Sequence, residues 1–185
     1  MRANISKKAL WITRTAVLVA MLVILQMASS LISGGNQFVT GSVVNMALIV
    51  AVMIGGLPTG LSVAVVSPVM AKLLCIGPFW SIIPFIIAGN MMLTIVWHII
   101  GNKKTGNKYI AQVIALLAAA VFKFLVLYFG IVKIAVPLIL KLPEQQASAV
   151  SAIFSLPQLI TASIGGALAI VVLATLNKAI PKKDR

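Results

Sequence analysis

Apolar runs of roughly 18 residues or more recur along this chain, and each is long enough to cross about 30 Å of hydrocarbon. A backbone in lipid must satisfy its own hydrogen bonds, so runs of this kind read as helices. Composition agrees. Of the 185 residues, 61% are hydrophobic and 9% are charged, against roughly 25% charged in a soluble domain. Mean hydropathy is +1.13. The expected fold class is an all-α integral membrane protein, a single domain over residues 1–185, multi-pass in the cell membrane and in contact with the lipid bilayer. The first apolar segment runs about 18 residues without a small-residue cleavage site, so it reads as a span and not as a removable leader. Cys75 stands alone in an apolar run and carries no disulfide signal.

Loop signals divide the chain into six transmembrane helices in a single bundle, at about 15–32, 38–54, 61–76, 79–100, 109–138 and 149–176. Glycine and proline mark most of the breaks: Ser33 to Gln37, Gly55 to Gly60, Gly77-Pro78, and Gly101 to Lys108. The turn between the second and third helices carries no charge. The fifth helix is long enough to tilt, or to bend near Pro137. Fifteen basic residues face two acids, for a net charge of +13. In a soluble protein this would suggest nucleic acid. Here eleven of the fifteen fall at the two ends and in the Lys103 to Lys108 loop. The positive-inside rule then places both termini in the cytoplasm and accounts for the charge without nucleic-acid binding.

Two lysines are left inside apolar segments, Lys72 and Lys123, with no carboxylate in any segment to pair with them. A charge at the bilayer centre costs roughly 2.5–3.5 kcal/mol on insertion scales and usually faces a protein interior or a wet cavity. Asn45, Asn90 and Gln158 fall at comparable depths on other helices. Converging, the five side chains would line a pocket open to the outside and suited to a small anionic, hydrogen-bonding solute. Each also has a plainer reading. Lys72 has the option of snorkelling to the interface, and the amides have that of bonding helix to helix. The glycine-rich segment around Asn36 reads as a lid or as a connector. Trp80 reads as a ligand-stacking ring or as an interfacial anchor. Small residues four apart allow close helix approach: Ala16 with Ala20, then Ala111, Ala115 and Ala119, then Gly165 with Ala169.

Catalysis is not expected. His98 has no acid or thiol near it in a metal-ligand pattern, two acids give little for acid–base work, and no phosphate loop is present. Neither a metal nor another cofactor is called for, and any ATP hydrolysis would belong to separate subunits.

The size, the helix count and the basic ends, with Ala16-Val17-Leu18-Val19-Ala20, Thr40-Gly41-Ser42-Val43-Val44-Asn45 and Ile83-Pro84-Phe85-Ile86-Ile87-Ala88-Gly89-Asn90, resemble the substrate-binding S components of energy-coupling factor (ECF) vitamin transporters. The resemblance runs over essentially the whole chain. It implies high-affinity capture of a vitamin or precursor from outside. It also implies docking on a membrane scaffold subunit through Ala16 and Ala20, two cytoplasmic ATPase subunits as partners, and toppling in the membrane to release substrate inside. No riboflavin, thiamine or biotin signature is present. The lysines and amides favour a carboxylate-bearing vitamin, with pantothenate ahead of folate or biotin. The competing reading is a stand-alone small-solute channel or secondary transporter, against which stand the missing internal repeat and the lack of intramembrane acids.

Overall fold

The structure, a computed structural model, describes residues 6–32, 36–75, 77–103 and 108–179. Outside them lie Ser33 to Gly35 of the expected lid, Lys104 to Asn107 of the basic loop, and the terminal cations Arg2, Lys182, Lys183 and Arg185. Helix α1 spans Lys7–Ile32 and α2 spans Gln37–Leu73. A single 3-10 turn, Trp80–Ile82, leads into α3 at Ile83–Gly101. Helix α4, Lys108–Leu127, continues as a π-helical stretch over Tyr128–Leu140. Helices α5, Glu144–Ile153, and α6, Leu156–Ala179, complete the order. The described residues contain no strand. Five helical stretches among them are long and apolar enough to cross a membrane, so the all-α membrane class stands.

Helix α2 is the hub. It packs against α1, α3 and α6, while α4 packs against α3 and α6. Leu48, Ile49, Val52, Val63, Leu93 and Trp97 are fully buried where these helices meet. Apolar burial does not distinguish a partner helix from a lipid tail, so close packing has to hold such a bundle together. Small residues permit it. Ala115, Ala119 and Ala169 are buried at helix contacts. A methyl placed on Gly165 of α6 would stand 2.6 Å from the carbonyl oxygen of Ser42 on α2, so only glycine lets these two backbones meet.

Helix α2 is 37 residues long but is not straight: Gly56 has φ 79° and ψ 176°, a region open essentially to glycine alone. Eight residues of straight helix rise about 12 Å, yet a methyl on Gly60 would lie 2.5 Å from Cβ of Val52. The chain therefore folds back at Gly56 into two arms, 37–55 and 57–73. Pro58 sits in the first turn of the second arm, where its missing N–H costs nothing.

Other boundaries differ from the sequence expectation for local reasons. Helix α1 begins at Lys7, where the Ser6 hydroxyl caps it by accepting from the Ala9 N–H at 3.2 Å. The long helix expected over 109–138 changes to π geometry at Tyr128, a form frequent where helices bend. There Gly130 presses against the ring of Phe85. The last expected helix is broken at Phe154 and Ser155. Pro157 has no N–H to give the Ile153 carbonyl four residues back. Two glutamine side chains serve that carbonyl instead: Gln158 Nε2 donates at 3.3 Å and Gln37 Nε2 at 3.5 Å.

Candidate binding site

The fold brings four of the polar side chains named above to one place. Lys123 comes from the last turns of α4, Asn45 from the first arm of α2, Asn90 from the middle of α3 and Gln158 from the start of α6. Lys123 Nζ donates to Asn45 Oδ1 at 2.6 Å and to Asn90 Oδ1 at 2.7 Å. Lys123 is 4% exposed and Asn45 and Asn90 are 1% and 2% exposed, so the cation is held wholly inside the bundle. Asn45 Nδ2 in turn donates to Thr161 Oγ1 at 3.5 Å, and that hydroxyl donates to the Gln158 carbonyl at 3.3 Å. Glycines bring the helices close enough for this network. Gly165 abuts Asn45, and Gly89, beside Asn90, abuts Leu127 of α4.

An ammonium carries three N–H donors. The asparagines accept two, and among the described residues no carboxylate pairs with Lys123. The one acid among the described residues, Glu144, is exposed on α5. Burying a charge without an opposite charge is costly, and amide oxygens answer only its hydrogen-bonding need.

Lys123 adjoins a cavity of about 420 Å³, within the range of sites that enclose small molecules. Lys123, Asn45, Asn90 and Gln158 all line it. So do Gln26 and Ser30 of α1, Gln37 and Thr40 of the first α2 arm, and Ser67 of the second. Its apolar wall comes from Phe79, Ile82, Ile86, Leu127, Val150 and Phe154. A cavity of this make-up can hold a solute with an acceptor for Lys123, further polar groups and an apolar body.

Three residues named from the sequence are not among its lining. Lys72 sits in the last turn of α2, half-buried. Asn36 is exposed and caps α2, its Oδ1 accepting from the Phe38 N–H at 2.9 Å. Trp80 is 54% exposed at the start of its 3-10 turn. Conversely, Ser67 joins the site from a stripe legible afterwards: Gly60, Ala64, Ser67 and Ala71 repeat at helical spacing, and all four are buried.

Ala16 and Ala20 lie elsewhere. They line a groove of about 640 Å³ between α1 and the second arm of α2, with Trp11, Val19, Ile24, Val66 and Met70. Comparison of the chain with family models, with curated proteins and with solved structures finds no match.

Proposed function

We propose that this chain is the substrate-capture subunit of an ATP-driven ECF-type micronutrient importer, binding a small anionic vitamin or precursor from outside the cell membrane. One observation carries the reading: a buried lysine, held by two neutral amides and lacking an anion of its own, adjoins a cavity of small-molecule size. A carboxylate arriving there would take the third proton and neutralise the charge, a bond stronger than one between neutral groups.

Topology supports it. Counting the two arms of α2 as separate crossings gives six, which returns both termini to one side. The basic ends and the basic loop then share the cytoplasmic face, as the positive-inside rule requires. The docking role of Ala16 and Ala20 is supported by their place in an apolar groove on the outlying helix. There a scaffold subunit would find small residues to pack on. ATP hydrolysis falls to partner subunits.

The test is native mass spectrometry of the purified protein in mild detergent, with any bound small molecule released and identified. A stoichiometric anionic vitamin or precursor is the expected result. A neutral one would keep capture and remove the role given to Lys123. An empty protein, stabilised by no added vitamin, together with unaided solute flux through liposomes, would replace the reading with a stand-alone channel.

A further inference from the structure

Several helical serines in this protein satisfy the hydroxyl within their own helix. Ser42, Ser62 and Ser163 each turn the hydroxyl back onto the carbonyl four residues earlier, at 2.6, 2.9 and 2.9 Å. That habit lets a hydroxyl sit in an apolar helix without a partner from elsewhere. Ser67 does otherwise. It is 1% exposed, and its Oγ is the one buried side-chain polar atom without a hydrogen-bond partner among the described residues. It also lines the cavity beside Lys123. A buried hydroxyl left unpaired is destabilising, and such groups are uncommon enough in native structures to need a cause.

Position adds a constraint. Asn45 stands eleven residues before Gly56 and Ser67 eleven after it, so the two face the cavity from the same level of the α2 hairpin. Packed helix axes lie about 8–10 Å apart. Asn45, which holds Lys123, and Ser67 therefore border the cavity from neighbouring arms at one depth, with apolar wall around them.

We propose that Ser67 is a specificity-determining residue whose hydroxyl bonds a neutral polar group of the ligand. The ligand class is then a monoanion carrying a neutral hydrogen-bonding group a few bonds from its anionic end. This rests on the capture reading and narrows it. Plain fatty acids and fully apolar anions are disfavoured because they leave Ser67 unpaired. The same logic lets sites built to bond a hydroxyl reject analogues that lack one.

The probes are straight-chain ω-hydroxy monocarboxylates of about four to eight carbons, a length set by the helix spacing, and the unsubstituted acids of equal length. Apparent affinity is read from the shift in thermal unfolding of the whole protein in detergent. At one chain length the hydroxy acid should bind about tenfold tighter than its partner, the worth of a hydrogen bond made in a buried site. Ser67→Ala should erase that ratio and leave the plain acid bound as before. It should also raise the melting temperature of the ligand-free protein by removing an unpaired polar atom. Lys123→Met should weaken both acids alike.

A ratio that survives in Ser67→Ala, no ratio at any length, or a lower melting temperature for ligand-free Ser67→Ala would overturn the role of Ser67 while leaving anion capture standing. If Ser67→Ala does not fold, that too shows a structural partner and overturns the proposal. Ser67→Cys, with its weaker donor, is the second variant, and an undiminished ratio there overturns the role of Ser67 equally. Failure of every acid to bind the wild-type protein would overturn both this proposal and the capture reading.

Discussion

Two concave regions among the described residues, of about 420 and 640 Å³, have opposite chemistry. The cavity, to which all six α-helices contribute lining residues, gathers a lysine, amides and hydroxyls. The groove between α1 and the second arm of α2 is lined by apolar side chains, two alanines and Thr15. Their surroundings differ as sharply. Only 11% of the apolar span in α1 is buried in the bundle, against 44% for the span of α3. What buries the cavity is a ring of helices that bond and pack on one another. α1 joins the bundle mainly through α2, with Leu22 buried there and the Thr15 hydroxyl donating to Thr59 at 3.4 Å. In a bilayer, polarity is kept where helices enclose it, and an apolar hollow facing outward marks a place where another apolar surface fits.

The comparison breaks if the two regions do not separate by mutation. The largest expected effect is on uptake. If the chain works in an ATP-driven importer as proposed, Ala16→Leu with Ala20→Leu should reduce uptake to background while ligand affinity stays within about twofold, as for distant sites. Equal loss of both activities would sink the docking role. Next comes Lys123→Met, which should weaken an anionic ligand by roughly tenfold to a hundredfold, the value of a charged hydrogen bond, measured by isothermal titration in detergent. Unchanged affinity would remove the anion argument.

A smaller effect, shared by both regions, is expected at Gly56. Alanine there must adopt a backbone region that costs about 1–3 kcal/mol, visible as a lower unfolding midpoint in detergent. An unchanged midpoint would show that the hairpin turn is not built as described. The smallest effect is at Lys72. It does not line the cavity, so Lys72→Ala should change ligand affinity by less than about twofold, as for substitutions outside a site. A tenfold loss would bring Lys72 back into the binding site and blur the boundary of the cavity.

The contrast between Lys123 and Lys72 shows what the sequence makes legible. A cation at mid-span has nowhere to go but inward, so Lys123 and the amides facing it could be named from depth alone. Near the end of a helix the alternatives multiply. The chain end needs caps, the interface welcomes aromatic rings, and a lysine can reach water. Asn36 became a cap and Trp80 an exposed ring. Ser67 was hidden for another reason. Hydroxyls in apolar helices ordinarily bond their own backbone, and its departure from that habit is a property of the folded state. The turn at Gly56 could be placed from its glycines and proline. The break before α6 was obscured by an apolar run that continues across Pro157, where only the missing N–H gives it away.

The second arm of α2 is a party wall. Ser67 faces the cavity from it, while Val66 and Met70 face the groove. An occupant on either side therefore works against the same few turns of helix. Binding free energies around a closed cycle must sum to zero, so the influence runs equally in both directions. By whatever factor a solute in the cavity strengthens or weakens a protein seated in the groove, that protein changes the affinity for the solute by the same factor. Occupancy of one hollow is thus communicated to the other through the thickness of a single helix, with no relay of residues between them.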